Sequence, residues 1–159
     1  MNKRTLVKKI IAQLVEELAV YHKAARAAHA EATHEQSKAE NKYDTRGLEA
    51  SYLARGQSKQ AAEIVQSIER FEKLSIRNFT KGDAIDLGAL VELETKKERT
   101  FYFIGPSAGG TEILHEKKEV LVITPQSPLG QQIMGKQSGE KLQITIGPAR
   151  NDYKIVSVC

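Results

Sequence analysis

Val7, Ile11, Leu14, Leu18, Tyr21, Ala25, Ala28 and Ala32 recur at alternating steps of four and three, in a stretch from Asn2 to Ala39 that holds neither glycine nor proline. On a helix this spacing gives one narrow apolar stripe, the pattern of a coiled-coil seam rather than of a helix lying on a broad core. At about 1.5 Å per residue the stretch makes a rod roughly 55 Å long. A chain of 159 residues cannot wrap such a rod in one globule, so the rod needs a partner helix. The stretch from Thr45 to Leu74 supplies it, with Leu48, Tyr52, Ala61, Ile64, Val65, Ile68 and Phe71 as the expected buried set. Gly47 and Gly56 weaken that helix by about 1 kcal/mol each relative to alanine. The chain is expected to reverse near residues 39–44, where Asn41 and Asp44 are good N-cap residues. The expected result is an antiparallel hairpin over residues 1–76, in which Val7, Ile11, Leu14, Leu18 and Tyr21 pack against Ile64, Val65, Ile68 and Phe71. Its seam fades to alanine toward the turn, and small side chains bury little area at roughly 25 cal/mol per Å².

Past a linker at residues 77–83 the period changes to two. Candidate strands are 90–94, 100–104, 112–114, 120–124, 142–146 and 153–158, separated by Gly, Pro, Asn and Asp clusters. One short helix interrupts them, with Ser127 as N-cap, Pro128 at its first position and Gly135 as its stop. The fold class expected is therefore α+β: a helical hairpin, then a mostly antiparallel β domain over residues 84–159. Charge and cysteine content narrow the function. Lys plus Arg is 24 against 20 Asp plus Glu, a net +4, mild for a chain that holds nucleic acid by charge alone. Cys159 is the sole cysteine, which leaves no intrachain disulfide and no thiolate cluster. His22, His29 and His34 lie seven and five apart, not the three or four that bring two ligands to one helix face, and read as surface residues. No apolar run approaches the roughly 20 residues of a membrane span, and no secretory leader is readable; a cytosolic monomer is expected. Ser127 has no Gly-x-Ser-x-Gly context and no phosphate-binding loop is present, so the chain reads as no enzyme in its own right.

The segment Ser127-Pro128-Leu129-Gly130-Gln131-Gln132-Ile133-Met134-Gly135-Lys136-Gln137-Ser138-Gly139-Glu140, followed by a strand, resembles a motif of the GreA/GreB family of bacterial transcription elongation factors. Asp86-Leu87-Gly88-Ala89-Leu90-Val91-Glu92-Leu93 is similar to that family's opening strand after the linker. The resemblance implies an FKBP-like C-terminal domain without prolyl isomerase activity, docked on RNA polymerase at the rim of its secondary channel. It also implies a hairpin that enters the channel toward the nascent RNA 3′ end. On this resemblance the docking residues are Ser127, Pro128, Leu129, Gly135, Lys136 and Gly139.

The same resemblance implies carboxylates at the hairpin turn; Glu40-Asn41 and Tyr43 match the family's stretch with a one-residue deletion, and Glu40 and Asp44 are the expected tip acids, in an arrangement different from the family's. There two carboxylates would share a Mg²⁺ with the polymerase, as no cofactor bound tightly by the chain itself, and would stimulate the polymerase's own RNA cleavage. Family members able to do this resemble one another in an acidic pair three residues apart followed by Asn-Ala-Glu-Tyr. Here Ser37 stands three positions before Glu40, and Lys42 occupies a position where an acid is usual. The expectation drawn from these departures is a channel-binding regulator rather than a strong cleavage factor. A coiled-coil interaction protein with a β docking module for some other partner is the alternative.

Overall fold

The computed structural model describes residues 1–35, 38–40, 45–96 and 98–159. Its contacts divide the chain into two compact units: Ala12–Glu69, and Met1–Ile11 together with Arg70–Cys159. Among the described residues no helix is long and apolar enough to cross a membrane.

The first unit is built from helices α1 (Lys3–Thr33) and α2 (Arg46–Glu72). Along α1 the expected stripe is the covered one: Leu14 and Ala28 are buried and Leu18, Tyr21, Ala25 and Ala32 half-buried. On α2 the buried face is Ala50, Ala61 and Ile64, whereas Leu48, Tyr52 and Val65 are exposed. Ala61, Ile64 and Phe71 are buried and Ile68 half-buried as expected, so the correction is confined to Leu48, Tyr52 and Val65. At about 100° per residue Leu48 lies some 200° around the helix from Ala50, so once alanines take the seam the bulky pair must face solvent. At the turn, α1 ends short of the expected reversal near residue 39, whereas α2 begins where expected. α1 stops at Thr33, whose hydroxyl donates back to the carbonyls of His29 (3.0 Å) and Ala30 (3.3 Å). Thr45 opens α2: its hydroxyl donates to the Glu49 carboxylate (2.8 Å) while its carbonyl accepts from the Glu49 amide (2.9 Å). The expected caps Asn41 and Asp44 lie outside the described residues.

The second unit is a six-stranded sheet of β1 (Leu90–Thr95), β2 (Glu98–Ile104), β3 (Glu112–His115), β4 (Lys118–Ile123), β5 (Lys141–Ile146) and β6 (Ala149–Val158), with one short helix α3 (Pro128–Ile133). The strand order is β3-β4-β2-β1-β6-β5, and every pairing is antiparallel except β2 with β4. Both faces of the sheet are covered, which is why Leu90 and Val91 are buried in succession. Val91, Leu93, Ile104 and Ile123 join Leu129 and Ile133 of α3, together with Phe79, Ile85, Ile144 and Ile155, in one core. The register puts Leu90, Phe103, Val120, Val122 and Ile113 on the other face. Phe71, at the end of α2, seats there beside Gly105 and Val122.

The first eleven residues belong to this sheet unit. Lys9 Nζ donates to the Leu114 carbonyl (2.9 Å), on the outer edge of β3, and the Asn2 amide donates to Glu116 (2.9 Å) in the β3–β4 turn. Lys3 is buried, donates to the Arg77 carbonyl and lies over the Phe79 ring, and burial lowers its pKa. Leu6 and Ile10 are fully buried while Ile11 is only half-covered. Val7, on the expected stripe, is buried as well, so here the helix packs in a broad globular core and the narrow stripe widens to take in Leu6 and Ile10.

Candidate functional site

The segment from Thr124 to Glu140 is built by local chemistry that its sequence spells out. Ser127 has extended backbone (φ −65°, ψ 155°); its hydroxyl accepts from the Gly130 amide (3.0 Å) and donates to the Thr124 carbonyl (2.8 Å). Pro128 follows in the first turn, where its missing N–H costs nothing. Gly130 is fixed by space: a Cβ there would lie 2.0 Å from the Thr124 carbonyl oxygen. The far side of α3 is tied to the sheet by Gln132, whose amide donates to the Thr145 carbonyl and accepts from the Thr145 amide, both at 2.8 Å. One side chain thereby occupies backbone groups on the outer edge of β5.

Beyond α3 the chain turns through Gly135 (φ 77°) and Gly139 (φ 94°), a left-handed region that suits glycine. Between them lies a short bridge to the linker. Ile85 donates to the Lys136 carbonyl (2.8 Å), Gly135 donates to the Ile85 carbonyl (3.0 Å), and the Gln137 side chain donates to the Gly82 carbonyl (2.9 Å). Glu140 accepts from the Gln137 amide (2.7 Å) and lies 3.7 Å from Lys136 Nζ. A continuous, hydrogen-bonded ridge results. Pro128, Gly135, Lys136 and Gly139 are exposed on it and Ser127 is half-buried. Leu129, expected at a docking surface, is a core residue, 7% exposed; Gln131 and Gln137 are exposed beside the others. The Gln132 bridge escaped sequence reading, because an amide on an exposed helix shows nothing until β5 is known to be a sheet edge.

The acids flanking this unit are held in their charged form. Asp83 accepts from the Thr80 amide (2.7 Å) and hydroxyl (3.0 Å), and those bonds lower its pKa, the amide foremost. Glu116 is lowered chiefly by the Asn2 amide. A carboxyl depressed on folding contributes stability above its unfolded value of about 4 and loses it as pH falls through the folded value. Both turns therefore stay fully bonded at neutral pH and loosen only in acid. Side-chain NMR titration should give midpoints for Asp83 and Glu116 below the ordinary carboxylate values. A midpoint at or above them for either residue would show its bond absent in solution.

At the helix junction Glu40 is exposed, with its carboxylate 3.6 Å from Arg46 Nη2. Glu35 is likewise 3.4 Å from Lys38. Asp44, Ser37 and Lys42 lie outside the described residues. Among the described residues no three His, Cys, Asp or Glu side chains come together as a metal-binding group. Glu40 thus offers one carboxylate that already faces a guanidinium. Of the two carboxylates expected to share a Mg²⁺, the described residues hold only Glu40.

The family described as "Transcription elongation factor, GreA/GreB, C-term" matches residues 80–159. Among solved structures the chain is similar to GreA factor homolog 1 (Gfh1) of Thermus thermophilus, at 21% identity with 94% of each chain covered and a TM-score of 0.39. It is also similar to Gfh1 of Thermus aquaticus, at 22% identity, 92% of each chain and a TM-score of 0.41. A GreA/GreB factor from Nitrosomonas europaea is 13% identical over 70% of this chain and 91% of that one, with a TM-score of 0.36. Comparison with curated proteins gave no match.

Proposed function

The chain belongs to the GreA/GreB family of transcription elongation factors, and from that premise we propose that it binds RNA polymerase through the Ser127–Glu140 ridge and occupies the secondary channel with its hairpin as a regulator of elongation. The observation that carries the reading is the ridge itself. Its glycines, cap and backbone bridges hold Pro128, Lys136 and Gly139 at the surface in one fixed arrangement, as a preorganised docking face requires. At the junction, the guanidinium of Arg46 beside Glu40 offsets the charge that a metal-sharing carboxylate would need. Channel occupancy without strong stimulation of RNA cleavage follows from that pairing and from Ser37 and Lys42. The chain acts in this reading on the polymerase's own chemistry and is not an enzyme itself.

The test is a backtracked elongation complex assayed for RNA shortening. Wild-type protein is expected to bind, to shorten no RNA, and to inhibit a cleavage-competent factor added with it. Lys136→Glu should raise the concentration needed for that inhibition about tenfold, equivalent to about 1.4 kcal/mol, whereas Lys136→Arg should leave it near wild type. Magnesium-dependent shortening by the wild type that disappears in a Glu40→Ala, Asp44→Ala double variant would overturn the non-cleaving reading. Failure to bind polymerase would overturn the whole assignment.

A further inference from the structure

β5 ends the sheet order on one side and β3 on the other, so each carries a row of backbone N–H and C=O groups with no strand beside it, a template for pairing with another chain. In an antiparallel pair the groups of alternate residues point toward the neighbouring strand and away from it. Thr145 points away from β6, since its N–H and C=O both meet Gln132, and Lys141 and Gln143 therefore do so as well. All three are exposed. Little else blunts this edge: β5 contains no proline and runs in unbroken register with β6. Leu142 is half-buried and Ile146 is 45% exposed on the same strand. The Gln132 amide takes the place of the missing neighbour at one position. Its nitrogen donates to the Thr145 and Pro128 carbonyls and its oxygen accepts from the Thr145 amide, all at 2.8 Å. A side-chain amide offers the same donor and acceptor as a peptide group, so it satisfies Thr145 as a paired strand residue would. The opposite edge is treated alike, with Lys9 Nζ on the Leu114 carbonyl of β3.

We infer that Gln132 guards β5 against a second copy of this chain, and that the unguarded edge is a latent homodimer interface. The register identifies the occupant. Two β5 edges related by a twofold axis meet antiparallel about Gln143, which puts Gln143 opposite itself and Lys141 of each copy opposite Thr145 of the other. No like charges face one another across that pairing, because lysine meets threonine and glutamine meets glutamine. Leu142 and Ile146 gain cover in it. Gln132 engages Thr145 in both copies, so it removes both outer pairs and leaves only the central one. A single pair is too short a ladder to hold two chains together. The inference stands apart from the polymerase-binding reading, since it concerns only the sheet unit and a second copy of it.

The experiment is sedimentation equilibrium of the full chain over a range of concentrations, with amide hydrogen exchange to locate any contact. The wild type should stay monomeric, and so should Gln131→Ala, whose side chain donates only to the Gln126 carbonyl (3.1 Å) beside α3. Gln132→Ala, and Gln132→Met, which keeps the side-chain length without the amide, should dimerise at least about tenfold more tightly than wild type, equivalent to about 1.4 kcal/mol. Exchange protection should rise in β5 as they do. Adding Gln143→Pro to either variant should restore the monomer, because proline there removes a donor needed between copies and none that β6 uses. Monomeric Gln132 variants with wild-type circular dichroism would overturn the inference. A dimer protected elsewhere than β5, or one that survives Gln143→Pro, would overturn it as well. So would a wild type that already dimerises through β5, since Gln132 would then guard nothing.

Discussion

Gly130→Ala is expected to destabilise the sheet unit at or above the upper end of the roughly 1–3 kcal/mol seen when a methyl is forced into a packed site. The added Cβ would lie 2.0 Å from the Thr124 carbonyl oxygen and 2.9 Å from Ser127 Oγ. The first of these is backbone and cannot swing aside. It is also held in place, because the Thr124 carbonyl accepts from the Ser127 amide (3.0 Å) and hydroxyl (2.8 Å). Relief requires opening the turn that starts α3, which withdraws Leu129 and Ile133 from the core. Gly56→Ala is the natural contrast: nothing lies within 4 Å of the added methyl in the exposed interior of α2, so replacement should stabilise that helix by up to about 1 kcal/mol. Hydrogen exchange reads the two effects separately, with protection falling in α3 and β5 for the first variant and rising in α2 for the second. Unchanged protection in Gly130→Ala would mean that the turn yields far more easily than its bonding suggests.

What could be read from the sequence follows the range of the interactions responsible. The α1 seam from Leu14 to Ala32 was legible because a helix repeats its own period regardless of what covers it. The ridge was legible because Ser127, Pro128, Gly135 and Gly139 each satisfy a constraint within a few residues. The C-terminal half of α2, Ala61 to Phe71, was legible in the same way as the α1 seam, but its first turns were not: choosing Leu48 and Tyr52 as the seam assumes that burial goes to the bulkiest side chains, yet Ala50 is buried while Leu48 and Tyr52 are exposed. Neighbouring sequence carries no record of how closely two helices approach. The same holds for β2 beside β4. Their hydrophobic alternation fits either direction, and only the long-range order of the sheet makes them parallel. Leu129 shows the cost at the candidate site, where a residue inside the recognisable motif turns out to hold the core rather than the surface. A contiguous motif marks where a surface is built without saying which of its side chains face outward.

Phe71→Ala should cost about 3–5 kcal/mol, the range for emptying a fully buried aromatic site. Phe71 is 1% exposed and, with Phe103, is one of the two largest fully buried side chains. It ends α2 and lies against a gap in the sheet that exists because position 105 has no side chain. A Cβ on Gly105 would come within 2.9 Å of Phe71 Cζ and 2.8 Å of Val122 Cγ1. Gly105→Ala alone should therefore cost roughly 1–3 kcal/mol through overpacking. The two changes are opposite in sign at one spot: the first empties space and the second fills it. In the double variant the alanine methyl can use the volume the ring has left, so its cost should fall short of the sum by at least about 1 kcal/mol, well outside the roughly 0.5 kcal/mol scatter of independent sites. Denaturant unfolding of the wild type, both single variants and the double variant measures that coupling directly. Additive costs would mean that Val122 and the Ser107 carbonyl, 3.1 Å from the same Cβ position, set the need for glycine. Phe71 would then be seated by the rest of the sheet face alone.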